Sequence, residues 1–324
     1  MLRKHLRRSS LLLLLWGLSL WSDAHILVYH RFDDPRHPTT NTSLRELRKE
    51  FSYLKEHHYR VVPLSTLVQA LQTNRPIPDS WVVLTIDDGF KSFLKALPLF
   101  EEFGYPFTIF ISTKPTQRGY PDFLSWQDLK KITSFGQIAL HSHAHPHLVD
   151  LSDEQIRADT QKGIELFKKN LGFLPTAYAY PYGEYDQRVK RIIESFGFEA
   201  IANQNIGAIG ATSDPKDLDR IAMVGHANLS QALRYRHLDA QWIKPTDYPK
   251  DGILHEVKVR ILPLYHTAWL YVTDHGWKRL PVKKGLVHAK LHYPLRKRRV
   301  RVIIKVKHSK INAKILVRSR YGAK

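Results

Sequence analysis

The chain has 324 residues, 43% of them hydrophobic, enough for one large or two modest domains with real cores. It has no cysteine, which excludes a disulfide framework and thiolate metal sites; any metal must be held by His, Asp or Glu, a donor set that suits zinc and other divalent first-row ions. The formal net charge is +20, and residues 251–324 supply +16 of it, so that segment favours a polyanionic partner such as an acidic polymer or a lipid surface.

The chain begins MLRKHLRRSS, continues with an apolar run from Leu11 to Trp21, and reaches Ser22-Asp23-Ala24. A basic head, a short apolar stretch and a small-x-small end have the layout of a secretory signal over residues 1–24, with cleavage expected after Ala24. The run is short for a membrane span, and an uncleaved anchor is the rival reading. Either way the body is expected outside the cytoplasm, in a secreted, periplasmic or cell-envelope setting, where nucleic acid is the least expected partner.

From His25 the pattern alternates. HILVYH is a short apolar run of buried-strand type, followed by Leu44, Leu47, Phe51 and Leu54 at helical spacing, then YRVVPL as a strand. WVVLTIDDG is a strand, FKSFLKALPLFEEFG a helix closed by Gly104, and PFTIFIS a strand. SWQDLKKITSFG and QIALH repeat the helix-strand pair. The stretch from Ser152 to Gly172 is a long helix, TAYAYPYG a strand, DQRVKRIIESFG a helix and EAIAN a strand. About seven βα units in succession imply a parallel sheet, and at this length a closed or nearly closed barrel. The predicted architecture is α/β: a (β/α)7-like deformed barrel over residues 25–245. Beyond Pro245 to Gly252 the pattern changes to apolar-polar alternation without helices, as in HEVKVRILPL, GLVHAKLHYP and RVRVIIKVKH. Residues 251–324 are therefore predicted to form a small antiparallel β domain of sandwich type with a basic face.

Three polar clusters fall directly after predicted strands, where a barrel places its functional side chains: Asp87-Asp88-Gly89, the run HSHAHPH from His141 to His147, and Pro181-Tyr182-Gly183. Asp-Asp-Gly alone is also a turn signal, but a helix rather than a hairpin strand follows it. Adjacent carboxylates can divide labour, one ligating a metal while the other accepts a proton from water. Among the four histidines, spacing alone does not choose ligands. Pro146 disfavours a helical conformation at His145 and pushes it toward extended geometry, so an i, i+4 pair would have to converge from a loop.

TIDDG, HSHAHP and YAYPYG, in this order, resemble the first three motifs of the polysaccharide deacetylase family, the NodB homology or carbohydrate esterase family 4 domain. ILVYHRF, FSYLKEHHYRVVPLSTL and FLSWQDLKKI resemble more narrowly the branch that removes N-acetyl groups from poly-β-1,6-N-acetylglucosamine in biofilm matrices. The likeness covers about Ile26 to Val224 and does not reach the basic β segment. It implies Asp87 as general base, and Asp88, His141 and His145 as ligands of a divalent metal ion, zinc first, with nickel or cobalt as alternatives. It also implies the backbone amide of Tyr182 as an oxyanion donor. His143 and His147 fall outside the motif. The arginine expected in the third motif is Ala179 here, and Arg220 in LDRIAMVGH is the candidate substitute. The family's terminal Leu-x-His motif has no clean copy after Gly183; in the biofilm branch it is permuted to the first strand, where LVYH makes His30 the expected catalytic acid and Val28 a wall of the acetyl pocket. Trp126 and Tyr185 are candidate platforms for sugar stacking.

The implied reaction is metal-dependent hydrolysis of the acetamide of N-acetylglucosamine units in an extracellular polysaccharide, with Asp87 as base and His30 as acid. The neighbouring reading is deacetylation of chitin-like oligomers or peptidoglycan, and one of a different class is a non-catalytic carbohydrate-binding protein on such a barrel. The substrate partner is an N-acetylated polysaccharide, and an anionic polymer or membrane surface is the expected partner of the basic segment.

Overall fold

The computed structural model describes residues 23–225 and 227–321; the predicted leader lies almost wholly outside them. Asp23 and Ala24, at the expected cleavage position, are buried. Ala24 exchanges two backbone hydrogen bonds with Ile209, and the Asp23 carboxylate accepts the His237 amide at 3.0 Å. Among the described residues no helix is long and apolar enough to cross a membrane.

The first body is a parallel sheet in the order Ile221–Ala222, His25–Tyr29, Trp81–Ile86, Phe107–Ile111, Gln137–Leu140, Ala177–Ala179 and Ala200–Ala202, with the short strand Arg60–Val61 beside Trp81–Ile86. Residues 218–222 join its two edges, because Leu218 bridges Ala202 while Ile221 pairs with Leu27. The result is the predicted α/β deformed barrel. Its closing segment is too short and too polar at Asp219 and Arg220 to read as a strand.

Strand alternation sorts the side chains into two cores. Leu27, Tyr29, Leu84, Ile86, Ile109, Ile138, Leu140, Tyr178 and Ile201 face the helices, where Leu47, Phe51 and Leu54 of the helix Leu44–Glu56 meet them. The intervening residues form the interior: Ile26, Val83, Phe110, and then Ala139, Ala177, Ala179, Ala200 and Ala202. Small alanines on the later strands leave the interior open to long polar side chains from elsewhere. The helices start and stop as their sequences dictate. Ser43, Ser125 and Ser152 each complete a capping box, and Gly104 and Gly172 close helices in the left-handed region.

The second body is an eight-stranded sheet in the order Arg236–His237, Lys310–Val317, Arg299–Lys305, Thr267–Val272, Gly276–Lys283, Leu286–Pro294, Ile253–Ile261 and Ala240–Lys244. It is antiparallel except where Arg236–His237 runs parallel to Lys310–Val317. It is one continuous path rather than two separate sheets. Gly276–Lys283 turns the corner, pairing with Thr267–Val272 up to Pro281 and with Leu286–Pro294 from Val282. Three strands were not anticipated. Gly276–Lys283 hides only Leu280 and Val282, so its exposed WKR start carries no alternation signal, and Arg236–His237 and Ala240–Lys244 lie within the range 25–245 assigned to the barrel. The two bodies are packed together: Ile315 and Val317 enter the barrel's helix-side core, the Ile315 amide donates to Asn205 Oδ1 at 2.8 Å, and Arg298 pairs with Asp150 at 2.8 Å.

Candidate active site

The alternation that builds the barrel interior also delivers its chemistry. Continuing each inward-facing series past the strand end leads from Ile26 and Val28 to His30, from Val83 and Thr85 to Asp87, and from Ala139 to His141; the closing segment adds Arg220 two residues after Leu218. Asp87, His141 and Arg220 are all buried. Asp88 would face outward if the strand continued. Instead its φ is 72° and that of Gly89 is 77°, so the chain turns in the left-handed region and Asp88 swings back over the barrel mouth. Only glycine suits position 89: a Cβ there would meet Ile111 Cγ2 at 3.0 Å with an unfavourable φ.

His141 and His145 converge on Asp88, their Nε2 atoms lying 3.4 and 3.1 Å from its Oδ1; one donor atom from each of the three residues falls within 4.8 Å of the others. His145 reaches this point from a loop, as its neighbour Pro146 requires, but not in the extended conformation expected before proline. Its φ is 55°, because Ser142 Oγ accepts its amide at 2.9 Å while Asp159 accepts the amides of His143 and Ala144. The other two histidines are engaged elsewhere. His143 Nδ1 pairs with Thr113 Oγ1 at 2.9 Å, and His147 pairs with Glu184 at 2.7 Å and stacks on Tyr182 at 4.1 Å.

The donor set fits a divalent cation on the evidence of its own hydrogen bonds. His141 Nδ1 lies 2.8 Å from the Ala179 carbonyl, which can only accept, so Nδ1 carries a proton and the ring presents Nε2 to the Asp88 carboxylate. Either a second ring proton or a cation can sit between Nε2 and the carboxylate, so the three residues are able to hold a divalent ion. A buried carbonyl that fixes the tautomer of a ligating imidazole is the usual outer support of such a centre.

Asp87 lies beside this group and is held by Arg220 through two parallel hydrogen bonds of 2.7 Å, with both side chains fully buried. Arg220 is itself anchored by Asn203 O at 2.8 Å. Burial alone would raise the Asp87 pKa; the Arg220 guanidinium and His141 outweigh it and hold the carboxyl below its ordinary value. For Asp88 the two imidazoles likewise overcome burial, and its pKa falls well below the usual range. His30 is near enough for Asp87, Asp88 and His141 to act on its charge, yet burial dominates and lowers its pKa; its Nδ1 is buried without a hydrogen-bond partner. Ala179 and Arg220 both face the interior, so the guanidinium that the third motif lacks is supplied across the barrel from the closing segment.

The aromatic residues correct the expectation for Tyr185. Tyr185 is buried, stacked on Tyr180 at 4.7 Å with its hydroxyl bonded to Asp217, and Trp126 packs partly buried against the helix-side core. Tyr185 therefore offers no open ring face. Tyr182, by contrast, is exposed, has φ 59°, and contacts the His145 ring at 4.4 Å. On the opposite side, Phe90, Tyr120, Phe123 and Lys114 line a cavity of ≈ 330 Å³ that reaches Asp88 and His145. Sequence reasoning missed these residues because they come from separate loops that only the Phe90 to Phe123 bridge brings together.

Residues 74–201 match the family model described as polysaccharide deacetylase. The poly-beta-1,6-N-acetyl-D-glucosamine N-deacetylase of Escherichia coli (strain K12) is 23% identical over 240 residues, covering 60% of this chain; the chain spans only 34% of that relative's length. Among solved structures, the Streptococcus pyogenes deacetylase PplD, in complex with acetate, superposes with a TM-score of 0.61 at 20% identity, covering 66% of this chain and 97% of that one. IcaB from Ammonifex degensii gives 0.58 at 22% identity, covering 65% and 96%. At these identities the structural likeness speaks for the fold, while the family model and the order of the motifs speak for ancestry. Residues 74–201, which include Asp87, Asp88, His141, His145 and Tyr182, are thus similar to a polysaccharide deacetylase domain.

Proposed function

We propose that the protein is a metal-dependent N-deacetylase acting on N-acetylglucosamine units of an extracellular polysaccharide of the poly-β-1,6-linked type. The observation that carries this reading is the meeting of Asp88, His141 and His145 beside a separate carboxylate, Asp87, clamped by Arg220. Asp88, His141 and His145 would hold a divalent ion, zinc by preference, which supplies Lewis acidity toward the acetyl carbonyl and toward water. The protein's own groups supply the rest. Asp87 is ionised at neutral pH and oriented by two hydrogen bonds, so it accepts the proton of the attacking water. The Tyr182 amide, in the strained turn after Pro181, is the donor assigned to the developing oxyanion. His30 in its protonated form is assigned the last step, passing a proton to the departing amine. Val28, one inward position before His30, would wall the acetyl pocket. The Tyr182 ring and the Phe90 to Tyr120 cavity flank the centre and suit the two faces of a sugar chain.

The basic apolar leader supports a secreted, periplasmic or anchored location, and the likeness to the Escherichia coli relative supports the β-1,6-linked polymer as substrate. The test is acetate release by protein supplied with zinc, nickel or cobalt, measured on linkage-defined N-acetylglucosamine oligomers. Turnover of the β-1,6 series in preference to β-1,4 oligomers is expected. Preference for β-1,4 oligomers would move the assignment to chitin-like or peptidoglycan substrates, and no release under any of the metals would overturn the enzymatic reading in favour of a binding protein.

A further inference from the structure

The second body carries an exposed surface that the barrel chemistry does not use. On Thr267–Val272 the residues Ala268, Leu270 and Val272 are buried, so Trp269 and Tyr271 face outward. Cross-strand register then aligns two adjacent rows on this face. One reads Arg279, Trp269, Lys305 and the next Trp277, Tyr271, Ile303. Thus an indole lies between two cations, and directly beside it two aromatic rings meet, with centroids 5.2 Å apart. Trp277 is 53% exposed, a large apolar area to leave in water. Trp269, Trp277, the strand end at Lys305 and the turn carrying Lys307 and His308 line a groove of ≈ 460 Å³.

The charge here is not neutralised from within. From residue 251 onward there are only three acidic side chains, and each is engaged elsewhere: Asp251 with His255 at 2.6 Å, Glu256 with Lys244 at 2.8 Å and His288 at 2.9 Å, and Asp274 with Lys297 at 2.8 Å. None of these contacts involves Arg279, Lys305 or Lys307. Stacking surfaces framed by unpaired cations suit a polymer whose rings present apolar faces and whose substituents are anionic. A neutral polymer would leave the cations unmatched, and a polymer bearing free amines would be repelled.

We propose that this face binds an anionic polysaccharide, its rings stacked on Trp269 and Trp277 and its carboxylate or sulfate groups paired with Arg279, Lys305 and Lys307. The choice of a polysaccharide over a nucleic acid or a lipid surface rests on the deacetylase reading of the barrel; the residues and the sign of the charge do not. The groove would hold the enzyme in a mixed matrix by a component other than its substrate.

The test uses the full chain and polygalacturonate as probe, with dextran as neutral control and oligo(dT) and phosphatidylglycerol vesicles as rival anions. Wild-type protein should bind polygalacturonate, release it as salt rises, and ignore dextran. Trp277→Ala and the double variant Lys305→Glu/Lys307→Glu, all at exposed positions, should each bind at least about tenfold more weakly while keeping the wild-type melting temperature. Binding by Trp277→Ala equal to wild type, or tighter wild-type binding to oligo(dT) or vesicles than to polygalacturonate, would overturn the proposal. Acetate release from short N-acetylglucosamine oligomers, assayed on the same preparations, separates the two readings. Loss of binding with intact turnover removes only this surface, and binding through Trp277 without any turnover removes only the deacetylase assignment.

Discussion

Replacing Arg220 with methionine tests the core of the site most directly. The guanidinium and the Asp87 carboxylate are both fully buried and joined by two hydrogen bonds of 2.7 Å. Methionine fills much of the same volume but leaves the carboxylate without a partner in a low-dielectric interior. Breaking a buried pair from one side costs about 3–5 kcal/mol, because the stranded charge keeps its desolvation penalty. For a cooperative unit of roughly 150–250 residues, the size of the barrel, that corresponds to a fall in Tm of roughly 6–20 °C, at about 2–4 °C per kcal/mol. Guanidinium or thermal unfolding of Arg220→Met measures the loss. The double variant Asp87→Leu/Arg220→Met removes both charges and should recover most of it, since an apolar pair carries no stranded ion. A second arm uses the inward-facing position 179, where adding Ala179→Arg to the Arg220→Met background should return part of the stability by offering Asp87 a guanidinium from the neighbouring wall. A single-variant loss below about 1 kcal/mol, or a double variant as unstable as the sum of the singles, would refute the argument that the clamp balances the Asp87 charge.

Three further outcomes follow from the geometry. His141→Ala and His145→Ala should each abolish stoichiometric zinc binding in calorimetry, whereas His143→Ala and His147→Ala should retain it; loss of zinc on changing His143 or His147 would reassign the ligands. Gly89→Ala should destabilise by about 1–2 kcal/mol from the left-handed backbone alone, with added crowding against Ile111, and denaturant titration reads the cost. Asp219 is raised to about 8, by burial first and then by the nearby Asp217 charge. Its folded value is above its unfolded one, so the stability it lends is complete below about pH 4 and is lost as pH rises toward 8. Asp219→Asn should therefore gain Tm relative to wild type at pH 8 and gain little at pH 4.5; an equal gain at both values would contradict the assignment.

The sequence by itself determined the repeating strand-helix order and the strand-end position of every polar cluster, because short apolar runs between capped helices are a local signal. It also marked Asp87, Asp88, His141 and His145, although from spacing alone the four histidines were equivalent and only the motif resemblance separated them. What the tertiary structure decided is where chain-distant residues meet. Arg220 reaches Asp87 across 133 positions because residues 218–222 close the barrel, a contact that no periodicity announces. Tyr185 looked like a platform and is core, while Phe90, Tyr120 and Phe123, unremarkable in the sequence, line the mouth. In the second body the sequence showed alternation and charge, but Gly276–Lys283 hides only two side chains and gave no strand signal. Its pairing sets Trp277 beside Tyr271 and Arg279 beside Trp269, so the face that most suggests a ligand exists only through cross-strand register. Local patterning can specify an element and the side chain at its end; which side chains then share a space depends on closure and register, which are properties of the whole fold.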